Sequence, residues 1–211
     1  RASDLAANAY ARLYPASGAI RRAILLGPSH RVAFRGLAAS GADAFATPLG
    51  EVPVDTAAVA AACRLPPVRR LDEAHALEHS LEVQLPFLQY VLQEFSIVPL
   101  IVGDARPDEV AEVLELLWGG PETVIVISSD LSHYYDYETA IRMDGATSRA
   151  IEGLDFERIG YDDACGRVPI GGLLCVGRRK GLKAQTLDLR NSGDTAGGRD
   201  EVVGYGAYAL E

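Results

Sequence analysis

Four histidines and three cysteines are the residues of this 211-residue chain best suited to chemistry. His30 ends the segment Leu26-Gly27-Pro28-Ser29-His30, directly after an apolar run over 23–26. His133 ends Ser128-Ser129-Asp130-Leu131-Ser132-His133, directly after a second apolar run over 124–127. Imidazoles that follow strands can meet at one end of a sheet, where they ligate a metal or move protons, and the Asp130 carboxylate can join them. For one loop histidine a surface or capping role is the default. Two such loops in one small domain point to a site.

Cys165 lies in Ala164-Cys165-Gly166-Arg167-Val168-Pro169-Ile170, just ahead of a helical pattern. A helix N-terminus with Arg167 nearby is expected to stabilise its thiolate, as a nucleophile or a soft metal ligand. The plainer alternative is a small filler at a loop–helix junction. Cys63 and Cys175 occupy apolar positions within helical patterns and read as structural. His75-Ala76-Leu77-Glu78-His79 matches H-x-x-E-H, which on one helix would put both imidazoles on a face with Glu78 activating a zinc-bound water. Residues 71–74 make a poor helix start, and no third ligand stands in helical context, so a zinc peptidase is disfavoured. Neither GxGxxG after a strand, nor GxxxxGK[ST], nor GxSxG occurs, and Gly171-Gly172 is too short to cradle a phosphate. Dinucleotide-binding, P-loop and nucleophile-elbow hydrolase classes drop away.

The elements that must position these residues alternate along the chain. Leu5, Ala9 and Leu13 have helical spacing behind Ser3 and Asp4, which can cap a helix. A buried strand over 23–26 follows, then a helix capped by Asp55 and running to Cys63. The leucines at 81, 85, 88 and 92 with Phe95 line one helical face, Pro86 being tolerable in a first turn. Further strands are expected at 97–102, 124–127, 184–189 and 202–210. Helices are expected from Pro107 to Gly119-Gly120, around Met143 to Ile151, and from Ile170 to Gly181. Strands alternating with helices imply a central, largely parallel sheet covered on both faces.

With 48% hydrophobic residues the chain can bury one substantial core, and a single domain over 1–211 is the expectation. A formal charge of −9 repels phosphate and argues against a nucleic-acid partner. An odd cysteine count without a CxxC pair argues for reduced thiols and a cytoplasmic setting. No apolar stretch is long enough to cross a bilayer, so no membrane partner is expected. The chain opens at Arg1 inside a helical pattern, so an N-terminal segment is expected to be missing.

Six segments, in order, resemble the Memo family, protein B of the AmmeMemoRadiSam gene group, related to the LigB-type class III extradiol dioxygenases. They are 26–30, 78–86 (Glu78-His79-Ser80-Leu81-Glu82-Val83-Gln84-Leu85-Pro86), 128–133, 165–171, Asn191-Ser192-Gly193-Asp194 and Val203-Gly204-Tyr205. The resemblance implies a three-layer α/β/α fold with a central mixed, largely parallel sheet. It also implies a non-haem iron or copper ion held by His30 and Cys165, with catalytic roles in the same pocket for His79, Asp130 and His133. The family's other ligand histidine, in a Pro-His-Ala-Gly-Tyr segment, is expected upstream of the first helix. The implied function is a metal-dependent oxidoreductase acting on an unknown small molecule. A thiolate makes such a site softer than the carboxylate-ligated iron of ring-cleaving relatives, and favours Cu(I) or redox cycling. The alternative is a non-catalytic adaptor using the same pocket for a peptide or partner protein, and AMMECR-type and radical-SAM proteins are the implied partners.

Overall fold

The computed structural model of the chain describes residues 2–195 and 197–211, apart from the side chains of residues 2–4. Helix α1 (Ala2–Ala11) leads to strand β1 (Arg22–Pro28), in which every residue after Arg22 is buried. Such a continuous apolar run is what a strand needs when both faces of its sheet are covered. The capping expected of Ser3 and Asp4 falls on side chains outside those described. Short strands β2 (Leu37–Ala39), β3 (Ala44–Thr47) and β4 (Gly50–Pro53) come next. Helix α2 (Thr56–Ala62) starts where expected, with Asp55 accepting the Ala58 N–H at 2.9 Å. It is followed by β5 (Val68–Arg70) and the single-turn helix α3 (Asp72–Ala76).

Helix α4 (Leu85–Val91) carries Pro86 in its first turn but stops at Val91, and the expected helical face through Phe95 is cut short. Leu92 is already extended, because the chain must turn into β6 (Ser96–Val102). Pro107 opens α5 (Pro107–Leu117), and the Arg106 N–H donates to Glu109 at 2.8 Å. Strand β7 (Thr123–Ile127) is as apolar as β1, yet each of its residues is only half-buried. Beyond it lie β8 (His133–Tyr135), α6 (Tyr137–Glu152), α7 (Arg167–Lys180), β9 (Ala184–Asn191) and β10 (Val202–Leu210). Gly181 ends α7 in the left-handed conformation at φ 70°. Gly171 and Gly172 serve packing: a Cβ at Gly172 would stand 2.4 Å from the Val110 side chain, so the pair lets α7 press onto α5.

The main sheet has five strands in the order β5-β2-β6-β1-β7. All its pairs are parallel except β2 with β6, which makes it mixed and largely parallel, as expected. Helices flank it in a three-layer α/β/α arrangement. The last strands form a separate antiparallel sheet, β8-β10-β9, and β3 and β4 form a hairpin. The principal core runs through β1, β6, α4 and α5, with a smaller cluster around Leu131, Ile151 and Leu174. The site needs one feature of this topology above all. Because β1 and β7 are parallel neighbours in register from Arg22↔Thr123 to Leu26↔Ile127, the loops that follow them leave the sheet side by side. Among the described residues no helix is long and apolar enough to cross a membrane.

Candidate functional site

At the end of β1 the backbone turns outward at Ser29, whose hydroxyl donates to the Val32 carbonyl at 2.6 Å. His30 follows with its side chain half-exposed, and it is held by a carboxylate that is almost wholly buried, that of Glu78. Glu78 Oε1 accepts from His30 Nδ1 at 2.9 Å, from the His79 N–H at 2.9 Å and from the Ser80 N–H at 3.1 Å, while Oε2 accepts the His30 N–H. Ser80 Oγ adds a bond to the Pro28 carbonyl at 3.0 Å. The 78–80 turn therefore grips the end of β1 from the side.

Burial alone would raise the Glu78 pKa and is the largest single influence on it. The bonds from the His30 ring, the His30 and Ser80 N–H groups and the His30 charge together outweigh it, so the pKa lies below the ordinary value. Glu78 is thus a carboxylate at neutral pH and has no proton to give. His30 Nδ1 must be the donor, which leaves the Nε2 lone pair of the neutral ring free to bind a ligand. Metal-binding histidines are oriented in this way.

After β7 the chain passes through Ser128, which accepts from Gln84 Nε2 at 2.9 Å, to Ser129 and Asp130. These two residues hold Cys165. Its Sγ accepts the Asp130 N–H at 3.2 Å and stands 3.6 Å from Ser129 Oγ, and the Gly166 N–H donates to the same hydroxyl at 2.8 Å. The approach is close enough to require glycine: a Cβ on Gly166 would lie 2.6 Å from that of Ser129. One sequence expectation is overturned here. The Cys165 pKa is raised, chiefly by burial and against the bonds from Ser129 and Asp130, so the thiol is not pre-ionised. Arg167, expected to stabilise the thiolate, lies over the Tyr161 ring at 5.2 Å.

Asp130 is the residue that the others share. Its Oδ2 is 3.7 Å from His133 Nε2. Burial raises its pKa, while the charges of His133 and His30 pull it back toward ionisation. His30, Asp130, His133 and Cys165 thus form one neighbourhood at the carboxyl ends of β1 and β7. His79 contributes differently: its N–H supports Glu78, while its ring turns onto Glu82 and is mostly exposed. His75 lies elsewhere, with Nε2 3.0 Å from the Ala38 carbonyl and its ring edge-on to Phe45. Helix α3 ends between the two histidines of H-x-x-E-H, so they share no helical face. Of the remaining cysteines, Cys175 is buried in α7 and Cys63 half-buried at the end of α2. The residues that sequence reasoning missed are Glu78, weighed only as a peptidase base, and Ser129. Both lie inside quoted motifs, but nothing in their spacing signals whom they touch.

An imidazole with a free Nε2 and a thiol suit iron or copper in donor type. They do not complete a site in number: among the described residues no group of three His, Cys, Asp or Glu side chains is placed to hold a metal ion.

The comparisons with known proteins agree with this geometry. A family model described as Memo-like protein matches residues 1–209. A MEMO1 family protein of Sulfolobus acidocaldarius is 35% identical over 214 residues, covering 95% of this chain and 75% of the relative. One from Aeropyrum pernix is 41% identical over 202 residues, covering 89% and 71%, and one from Archaeoglobus fulgidus is 36% identical over 195 residues, covering 86% and 73%. The segments that build the site, from 26–30 to 203–205, all fall within the matched span, and the chain belongs to the Memo family.

Proposed function

We propose that the chain is a metal-dependent oxidoreductase of the extradiol-dioxygenase kind, acting on a small molecule, with iron or copper as its ion. The observation that carries this reading is the tautomer of His30, fixed by a buried carboxylate so that Nε2 faces outward as a ligand. Cys165, one Asp130 N–H away from the same neighbourhood, is the second donor. The ion would supply Lewis acidity and a redox couple. The chain's own residues do the rest. His133 and Asp130, 3.7 Å apart, hold a proton between them and can accept one from a substrate hydroxyl. Ser129 and the Asp130 N–H place the sulfur, and Glu78 orients the imidazole. Three unpaired cysteines suit a reducing, cytoplasmic setting. The family resemblance also supports AMMECR-type and radical-SAM proteins as partners.

The test is anaerobic reconstitution with Fe(II) or Cu(I), followed by metal analysis and dioxygen uptake. Wild type should retain metal, and His30→Ala and Cys165→Ser should each bind it at least about tenfold more weakly, the lower end of what displacing even an outer partner costs. Equal retention by wild type and both variants, or none by wild type, would sink the reading.

A further inference from the structure

The largest cavity, about 730 Å³, is walled by strand edges. One wall is β7, all five residues of which line it; the other is the stretch 205–210 of β10. Both edges are open. β7 is the last strand of its sheet and pairs only with β1. β10 pairs with β9 on one side, while its other side is closed only as far as Gly204, which exchanges backbone bonds with Leu131 and Ser132 at 2.9 and 2.8 Å. Among the described residues no backbone bond satisfies that side beyond it. The floor and roof are helical side chains: Tyr10 and Phe87, stacked 5.4 Å apart, and Leu173 and Leu174 of α7.

A gap between two sheet edges, roofed and floored by apolar helix faces, has the cross-section of a strand. A strand takes about 4.8 Å laterally and about 10 Å through the layer, so five residues at about 3.3 Å each displace about 800 Å³, close to the observed cavity. The apolar lining also explains why β7 is rich in β-branched residues yet half-buried: such runs belong in the interior of a sheet.

We infer that residues 1–211 accept an extended apolar peptide strand between β7 and β10, which would join the five-stranded and three-stranded sheets into one. The recognition is β-augmentation on both sides, with backbone bonds supplying affinity and the apolar walls selecting uncharged side chains. One end of the slot reaches Ser128–Asp130, so an added strand would place its terminal residue beside the site.

The test needs no metal. A fluorescent, capped heptapeptide with a Val/Ile core flanked by lysines is titrated into the protein, beside the same peptide N-methylated at alternate amides, which keeps its side chains but loses half its donors. Expected are saturable one-to-one binding, at least about tenfold weaker binding of the methylated peptide, and slowed amide exchange at both 123–127 and 205–210. Equal binding of the two peptides would make the cavity a site for apolar small molecules and overturn the inference. Protection of a single edge would do the same, as would a peptide-free dimer that protects both.

Discussion

Replacing Glu78 should test whether one buried acid holds the site in shape. Its side chain is 3% exposed and accepts four hydrogen bonds, three from backbone N–H groups and one from an imidazole. Glu78→Ala leaves these donors around a void. A buried unsatisfied donor costs about 1–3 kcal/mol, and removing one partner of a buried charged pair costs about 3–5 kcal/mol. Water entering beside the half-exposed imidazole recovers part of this, so the net loss should be about 3–5 kcal/mol in urea unfolding. Glu78→Gln keeps an acceptor for the three donors on Oε1 but turns an amide NH₂ toward the His30 N–H, and should cost less, about 1–3 kcal/mol. The chemical consequence is read separately, from the ¹⁵N shifts of the His30 ring. Wild type should carry its proton on Nδ1 at neutral pH, whereas Glu78→Ala should relax toward a mixture of tautomers. A wild-type ring protonated on Nε2, or a Glu78→Ala loss below about 1 kcal/mol, would refute the reasoning.

Gly166→Ala drives a methyl group into Ser129 and should cost about 1–3 kcal/mol while displacing the sulfur; faster Cys165 modification by a thiol reagent would report the displacement. Asp144 is buried beneath Gly204 and accepts the Ser132 N–H at 3.0 Å, with a pKa raised chiefly by burial. The folded state therefore keeps a proton that the unfolded chain has lost, so stability should fall as pH rises from the ordinary 3.8 through the raised value. Thermal unfolding across that window should show Asp144→Asn gaining on wild type as pH rises, and a pH-independent difference would count against it. Asp55→Ala removes the cap of α2 and should cost about 1 kcal/mol by denaturant titration.

The main strands and helices were legible because their patterns are strong: β1, β6 and β7 are unbroken apolar runs, and Pro107, Asp55 and Gly181 punctuate helices through mechanisms local to the chain. The short strands β2, β5 and β8 were not, since three residues carry no period and exist only because a neighbour offers a ladder. At the site, His30, Asp130, His133 and Cys165 were visible from residue type and their place after strands or before a helix. The thiol's protonation was misjudged because Arg167 has a better partner in Tyr161, a choice made by tertiary packing. Glu78 was hidden for a related reason. Its partner in the ring bond lies 48 positions away, and its role is set by the company it keeps when buried.

The pairing of β1 has a consequence in time. Arg22 finds its first parallel neighbour at Ser96 and its second at Thr123, so the most apolar strand leaves the ribosome well before either partner exists. At about 5–20 residues per second the wait for β6 alone is about 4–15 s. Throughout it, seven residues with almost no polar side chain must be shielded by something other than their native sheet. Yield in cells should therefore follow translation speed and chaperone supply more closely than the stability of the finished fold.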